Sequence, residues 1–578
     1  MTKYNKRRKS RRFWTKMATT AISQDKTVSL DFWGTICILS ESPEKIREKV
    51  SHRLVEEFEL EGTGKNLHLF YNRVAKGLRN ISFEIFREGE YRSEDCWYII
   101  GCLIFKSDTK AKVFRNRAMA LELEIFCSCS KVPKLISNWL KDISYSNKVF
   151  ILSDFEHNSK FIRDVLMSNN IVWQSDIFTS SQSNFSKHSG LFFEQEFYMA
   201  NLHIGDNFHS DFKKPSELGI ECILVSQNLS LEILYFFKKL FNKIIKITYK
   251  FLILFSYPIS MKNYENFLMN LYLHWSKQVL YFLRNIKTVF FVGSEGAFIS
   301  QQFDSYPIGG EFNCNMVCVN FGRGKLLKAT LIANPLYVFS KLVLENWSLS
   351  NIAEYFGIEK FNSKVLQETK SISQVFNYFS KNMILTDLIK SNYRDLITQF
   401  NDMDERILVV DVGYQASFAD ILQAIGYQNV FVSQLFGKYS TISTFKKGRV
   451  RFGLKVREYV DDFMAPHLDT DFVECFFSLG PRGVKVISDY KQIQLNVIKK
   501  SKNKFKTLEI SNLKLQKYLL LPPKKFVQCH AKSEFKIDDL NNNSDFLADL
   551  PWSMDTNVKD YFWHWALLLK YSRRFLKS

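Results

Sequence analysis

The chain has 578 residues, of which 46% are hydrophobic and 24% are charged, a composition that excludes wholesale disorder. Its length exceeds that of one typical domain and predicts two or more, while 23 glycines and 11 prolines exclude a collagen-like chain. The net charge of +20 favours an anionic partner or surface. No zinc module or other nucleic-acid motif accompanies that charge, so nucleic acid is not an expected partner.

Much of the positive charge lies in an N-terminal arm, residues 1–25, which we expect to be disordered. Such an arm either contacts an anionic membrane surface or remains a solvated tail, and the sequence leaves both readings open. No apolar segment follows the pair Arg11-Arg12, so we expect no export signal. The ten cysteines form no CxxC pair, which favours reduced thiols in a cytoplasm. The basic residues of the arm are Lys3, Lys6, Arg7, Arg8, Lys9, Arg11, Arg12 and Lys16.

Residues 26–228 alternate between short apolar runs and longer amphipathic segments. The runs predict strands, and the long segment from about 40 to 145 predicts a mostly helical insert. Strands separated by helices predict an α/β domain with a parallel, Rossmann-like sheet covered on both faces. The predicted strands are Val28–Asp31, Lys148–Asp154, Asp176–Thr179, Asn201–Asp206 and Glu221–Val225.

Polar residues stand where several of these strands end, and the carboxyl ends of parallel strands meet at one sheet edge. Asp31 is placed there as a nucleophile or metal ligand, and Ser153 as a hydrogen-bond donor to a phosphoryl oxygen. Lys187 supplies a positive charge, and Asp206 with Asp211 supplies two carboxylates. Such hard oxygen ligands suit Mg²⁺, and positioning with charge neutralisation is most of what phosphoryl transfer requires.

In these residues the chain resembles the haloacid dehalogenase-like (HAD) hydrolase superfamily, over roughly residues 25–226. The resemblance implies an Asp nucleophile, an Mg²⁺ cofactor and a helical cap between the first and second motifs, where the segment 115–122 looks like a cap helix. Each motif alone is weak, but the four occur in the order that the superfamily requires. The matching positions are Asp31 with Thr35, Ser153, Lys187, and Asp206 with Asp211.

One position departs from the phosphatases of this superfamily, which usually carry a second Asp two residues after the first. Here that position is Trp33, and an indole cannot act as the acid and base that the Asp supplies. Either another group supplies the base, or hydrolysis is slow, or the site now only binds. Glu122 and Glu124 of the insert are candidates for a substitute base.

The second half of the chain predicts a helical connector over 229–285 and a second α/β domain over 286–578, mixed towards its end. The connector contains an amphipathic stretch with a lysine face, typical of a membrane-surface helix or of an ordinary helix on a core. In the second domain, strands Thr288–Val292 and Ile407–Val412 each lead into a glycine-containing turn. The candidates for a second anion site are Glu295, Gly296, Asp411, Gly413 and Ser417.

The turn after the later strand looks like the phosphate loop of phosphoribosyltransferase folds, because a helix N-terminus suits an anion; a plain strand–helix turn is the alternative. The two-part layout resembles HAD-like proteins encoded among bacterial glycosyltransferases of capsule and lipopolysaccharide synthesis. That resemblance implies a cytoplasmic enzyme acting on a phosphorylated sugar or polyol. The alternative is a catalytically weak accessory protein that docks glycosyltransferases or contacts the inner membrane face.

Overall fold

A computed structural model of the chain describes its folded parts in several ranges. These are residues 26–60, 63–195, 200–225, 286–292, 315–319, 323–359, 361–369, 371–398, 406–411, 417–438 and 450–456. The predicted basic arm and helical connector lie outside the described residues, as does most of the predicted C-terminal part.

Twelve strands occur among the described residues. They are β1 Thr27–Leu30, β2 Ile38–Leu39, β3 Ser130–Lys131, β4 Lys148–Ser153, β5 Ile177–Thr179, β6 Leu202–Gly205, β7 Glu221–Leu224, β8 Thr288–Val292, β9 Asn315–Val319, β10 Ile407–Asp411, β11 Val430–Lys438 and β12 Val450–Val456. No described helix is long and apolar enough to cross a membrane.

The α-helices of the described residues fall between these strands. They are α1 Pro43–Glu57, α2 Gly64–Phe86, α3 Ser93–Phe105, α4 Asp108–Cys129, α5 Lys134–Ser146, α6 Ser159–Ser168, α7 Ser180–Ser183, α8 Lys214–Glu217, α9 Arg323–Thr330, α10 Pro335–Leu344, α11 Leu349–Tyr355, α12 Ile372–Asn382, α13 Asp387–Thr398 and α14 Ser417–Ala424. Short 3-10 helices span Leu191–Glu194 and Ser363–Leu366, and a π-helix spans Phe208–Lys213.

The first sheet has the strand order β5-β4-β1-β6-β7, and all of its strands are parallel. Its central strand β1 pairs with β4 on one side and β6 on the other, and Val28 and Leu30 are fully buried. Parallel strands covered on both faces are expected to be continuous apolar runs, as in the KVFILS of β4. The predicted α/β class with a Rossmann-like sheet is confirmed, and each predicted strand is within one residue of the observed one at either end.

The helical insert begins and ends at a short antiparallel pair, in which Ile38 and Leu39 of β2 face Lys131 and Ser130 of β3. Between these strands lie α1 to α4, so the predicted helical character of this region is confirmed. Ser42 caps α1 by accepting the N–H of Lys45, and Pro43 occupies the first helical turn, where its missing N–H is harmless. Helix α5 packs on β4 and therefore covers the sheet itself.

Helices α10 to α12 pack on the insert, although they are distant in sequence. Gly77 of α2 permits close approach, because a Cβ there would lie 2.0 Å from the carbonyl oxygen of Val343 in α10. The Glu84 carboxylate accepts the N–H of Leu349 at 3.0 Å, and Asp95 accepts that of Ile372 at 3.2 Å. Carboxylates at helix N-termini are stabilising, since the first N–H groups have no partner within the helix.

The chain divides into two compact units, and these helices belong to the first, together with the β1 sheet and the insert. The predicted boundaries assign them to a second domain beginning at residue 286, so the structure groups this part of the chain differently. The second unit contains a parallel sheet in the order β12-β11-β10-β8-β9, with α9, α13 and α14. A second α/β region was predicted, but its strands β9 and β12 were not.

Candidate functional site

Parallel strands bring the polar residues of the first unit to one edge of the sheet. Asp31 directly follows β1 and Asp206 directly follows β6, the neighbouring strand. Asp211 lies in the π-helix beyond β6. One carboxylate oxygen from each of the three residues lies within 4.8 Å of the others. The predicted convergence of these carboxylates is therefore what the structure shows.

Lys187 lies between two of the carboxylates. Its Nζ donates to Oδ1 of Asp31 and to Oδ1 of Asp211, at 2.6 Å in each case, and the residue is 2% exposed. Burial acts to lower the pKa of Lys187, but Asp211, Asp31 and Asp154 together raise it above its usual value. The Lys187 side chain is therefore protonated at neutral pH and carries a positive charge inside the site.

Asp31 is held by its neighbours in a defined orientation. Its backbone N–H donates to the Ile204 carbonyl at 2.9 Å, and the Thr35 hydroxyl donates to Oδ2 at 3.1 Å. Burial raises the pKa of Asp31 well above its usual value; Lys187 opposes this, while Asp211 and Asp206 add to it. Three carboxylates therefore share one buried ammonium at this edge of the sheet. A divalent cation with a preference for oxygen ligands fits such a donor set.

Asp211 is held by several neighbours. Besides Lys187, it accepts from Asn207 N at 2.9 Å, and its Oδ1 lies 3.2 Å from Nε2 of His203. Burial acts to raise the pKa of Asp211, but Lys187 and His203 hold that pKa below its usual value. The other ring nitrogen of His203 lies 2.7 Å from the Ser29 hydroxyl. His203 and Ser29 were not predicted as site residues, although each is a polar residue inside an apolar strand.

Two glycines allow the carboxylates to approach the backbone closely. Gly34 has φ +85°, and a Cβ there would lie 2.3 Å from Oδ2 of Asp206. At Gly205 a Cβ would lie 2.4 Å from Cβ of Asp211. A side chain at either position would displace an acidic residue of the site. The absence of a side chain at these two glycines is therefore part of how the site is built.

Ser153 and Asp154 follow each other at the end of β4. Ser153 is buried and is in register with Thr179 of β5, which places it at the same edge as Asp31. Asp154 was not predicted as a site residue. Its two oxygens accept the backbone N–H groups of Lys187 at 2.8 Å and of His188 at 3.2 Å. The turn that carries the lysine is therefore tied to the end of the neighbouring strand.

Trp33 lies within a cluster of aromatic rings. Its ring centroid is 4.5 Å from that of Phe32, 5.5 Å from that of Phe126 and 5.3 Å from that of Phe155. Phe126 belongs to α4, so the cluster joins the insert to the sheet edge. The Nε1–H of Trp33 is buried and has no hydrogen-bond partner among the described residues. Aromatic side chains therefore occupy the position at which the phosphatases that the sequence resembles carry a second Asp.

The candidate bases of the insert have different surroundings. Glu124 is exposed and pairs with Arg53 at 2.6 Å on the outer surface of the insert. Glu122 is fully buried, accepts the Ser93 hydroxyl at 2.8 Å, and lies 3.3 Å from Nε2 of His157. Burial raises the pKa of Glu122 to about 7 and lowers the pKa of His157 to about 3. Both side chains are shut off from solvent by the helices around them.

The candidate anion site of the second unit is only partly covered by the structure. Glu295, Gly296 and Gly413 lie outside the described residues. Asp411 ends β10, and Ser417 begins α14. A strand followed by a helix agrees with the predicted order of elements, and the anion site itself stays a prediction.

No protein-family model matches the chain, and no curated protein matches it either. Among solved structures, it is similar to the HAD-hydrolase YfnB from Bacillus subtilis, in a structure described as bound to magnesium, with 16% identity and a TM-score of 0.25. The match covers 35% of this chain and 89% of that one.

Proposed function

We propose that the first unit is a HAD-like, Mg²⁺-dependent phosphohydrolase or phosphotransferase with Asp31 as its nucleophile. The observation that carries the proposal is the contact of Lys187 with both Asp31 and Asp211, beside Asp206, at the carboxyl edge of a parallel sheet. A buried carboxylate with a fixed ammonium and two further carboxylates is a costly arrangement in a protein interior. Sites that perform chemistry are where such arrangements concentrate.

Each residue has a chemical task in this proposal. Asp31 attacks phosphorus through a carboxylate oxygen, and the Thr35 hydroxyl orients that carboxylate. Lys187 stabilises the charge that develops on the phosphoryl oxygens, and Ser153 donates a hydrogen bond to one of them. Asp31 and Asp206, with Asp211, would hold Mg²⁺, which supplies electrostatic neutralisation of the phosphoryl group. Because these groups are fixed in advance by the fold, little reorganisation accompanies the reaction.

The proposed substrate is a phosphorylated sugar or polyol of surface-polysaccharide synthesis, in a cytoplasmic setting. Its support is the resemblance of the two-part layout to HAD-like proteins encoded among glycosyltransferases. A peripheral contact with the inner membrane face, or with a glycosyltransferase, belongs to the same proposal.

Phosphate release from a panel of sugar and polyol phosphates by the full chain, with and without Mg²⁺, tests the function. We expect Mg²⁺-dependent turnover that Asp31→Asn abolishes. Asp164→Asn is the matched control, because Asp164 lies at the surface and pairs with Lys160. Turnover that persists in Asp31→Asn would contradict the proposed nucleophile, and turnover unaffected by chelation of Mg²⁺ would contradict the proposed cofactor.

A second candidate is an accessory protein whose site binds phosphorylated ligands but turns them over weakly. The packing of Trp33 among three rings favours it, since no acid stands at that position. Calorimetric titration with a sugar phosphate distinguishes the two. Saturable, Mg²⁺-dependent binding without phosphate release would support the accessory role.

A further inference from the structure

The loop 87–92 connects α2 to α3 of the insert and contacts the chain that follows two neighbouring strands of the first sheet. The Tyr91 hydroxyl donates to Oε2 of Glu156, three residues after β4, at 2.8 Å. Nε of Arg92 donates to the carbonyl of Ser181, in the short helix directly after β5, at 2.9 Å. Strands β4 and β5 are paired in parallel, so both contacts lie at the carboxyl edge that carries the candidate site.

A third contact of this loop reaches the turn that carries Lys187. The Ser186 hydroxyl donates to Oε2 of Glu88 at 3.0 Å, and both residues are buried, at 4% and 7% exposure respectively. The same hydroxyl oxygen accepts the backbone N–H of Ser189 at 3.2 Å, and the Lys187 carbonyl accepts the N–H of Gly190 at 3.1 Å. Ser186 therefore closes the turn and also contacts the insert.

Two carboxylates from different parts of the first unit therefore hold this turn. Asp154, directly after β4, accepts the backbone N–H of Lys187 at 2.8 Å. Glu88, from the insert, accepts the side-chain hydroxyl of the residue before Lys187. A buried carboxylate without a hydrogen-bond partner is costly, and hydrogen bonds to charged acceptors are stronger than those between neutral groups. The Glu88 contact therefore opposes movement of the turn away from the insert.

We propose that Glu88 is a positioning residue, through which the insert fixes the turn that holds Lys187 in place. The inference rests on the proposed function, because it concerns the rate of that reaction. Nζ of Lys187 contacts Asp31 and Asp211, each at 2.6 Å, so a shift of its turn changes both contacts at once. A misplacement of about 1 Å in such a site can cost on the order of 10²-fold in rate. Correct packing of the insert loop on the sheet edge is thereby a condition for fast turnover.

A double-mutant cycle between Glu88 and Ser186 tests this role. The wild type, Glu88→Ala, Ser186→Ala and the double variant, each as the full chain, are compared in Mg²⁺-dependent phosphate release from 4-nitrophenyl phosphate. We expect each single variant to lower kcat by about 10–100-fold with a smaller change in KM, since Lys187 acts mainly on the charge that develops during transfer. The double variant should be no slower than the slower single variant, because both changes remove the same contact.

Two further measurements separate this role from a general loss of folding. Glu88→Gln keeps a side-chain oxygen that can accept the Ser186 hydroxyl, so it should retain most of the wild-type kcat. Hydrogen exchange of the backbone amides of residues 186–190 should be faster in Glu88→Ala than in the wild type, and close to the wild type in Glu88→Gln. Glu57→Ala is the matched control, since Glu57 is an exposed residue of the insert that pairs with Arg117 at 2.6 Å. It should change neither kcat nor exchange at the turn.

Losses that multiply in the double variant would overturn the role of Glu88, because they would show two independent effects. A kcat of Glu88→Ala equal to that of Glu57→Ala would overturn it as well, and so would unchanged exchange at the turn or a Glu88→Gln variant as slow as Glu88→Ala. In each of these cases the wild type would keep its Asp31-dependent turnover, and the proposed nucleophile would stand. Absence of Asp31-dependent turnover in the wild type would overturn the proposed function and this role with it.

Discussion

The carboxylate of Asp154 accepts the backbone N–H of Lys187 at 2.8 Å, which links the end of β4 to the turn that carries the ammonium. The residues are distant in sequence, and the bond fixes the backbone from which the lysine reaches both Asp31 and Asp211. Burial raises the pKa of Asp154 and Lys187 opposes this. Asp154 is therefore a positioning residue for the charged centre of the site.

Asp154→Asn should lower turnover with little change in Mg²⁺ affinity. An amide oxygen accepts only one of the two N–H groups well, so the Lys187 turn loses part of its support. Loss of such a supporting partner typically costs about 10–100-fold in activity. Measurement of kcat and of the Mg²⁺ dependence separates the two effects, with Asp164→Asn as the control. An unchanged kcat would show that the turn carrying Lys187 keeps its conformation without the Asp154 carboxylate.

Gly34→Ala should weaken Mg²⁺ binding, because the new Cβ would displace the Asp206 carboxylate that lies 2.3 Å away. Positive φ adds a strain of roughly 1–2 kcal/mol at the same position. Gly219→Ala is a close control, since Gly219 has φ +78° and nothing within 4 Å of its Cβ. Thermal unfolding with and without Mg²⁺ checks the difference. Equal Mg²⁺ stabilisation in both variants would argue against Asp206 as a ligand.

Trp33→Asp should destabilise the first unit rather than improve turnover. Asp is small and charged, and three aromatic rings pack against the side chain at that position. Trp33 is half-buried, so removal of its ring should cost less than the roughly 3–5 kcal/mol of a core aromatic, and Asp adds the cost of a charge beside apolar rings. Trp33→Phe should destabilise the first unit less, because it keeps an aromatic ring at this position. Thermal unfolding beside phosphate release measures both, and a stable, faster Trp33→Asp would reverse this expectation.

The stability of the first unit should fall as pH rises through about 7, because of Glu122. Burial raises its pKa to about 7, with Glu156 adding to the shift, so the folded state prefers the protonated form. That preference is fully present below the usual carboxyl range and is lost as pH rises through the folded-state pKa. Between about pH 5 and pH 8, wild type should lose stability relative to Glu122→Gln.

Unfolding midpoints across this pH range measure the effect, and Glu124→Gln is the control on the same helix. The quantity to compare is the difference in unfolding midpoint between wild type and Glu122→Gln. Burial lowers the pKa of His157 to about 3, so protonation of His157 destabilises the folded state at lower pH in both proteins. Parallel pH profiles for all three proteins would mean that Glu122 has the same protonation in the folded and unfolded chain.

The fold class and the chain order of the candidate site residues could be predicted from the sequence. Apolar runs that end in Asp31, Ser153 and Asp206 indicated parallel strands, because continuous burial and a polar terminus are local properties of a few residues. The same reasoning located the long helical insert. The sequence also showed that Trp33 stands where the phosphatases that this chain resembles carry an Asp.

The groups that surround those residues could not be predicted in this way, because they come together only when the whole chain is folded. His203 contacts Asp211, Asp154 accepts the N–H of Lys187, and Glu88 of the loop between α2 and α3 accepts the hydroxyl of Ser186. Helices α10 to α12 likewise join the insert from far along the chain. These contacts depend on distances between elements that are remote in sequence. No local pattern of hydrophobicity or charge encodes such distances, because they are set by how whole helices and strands pack.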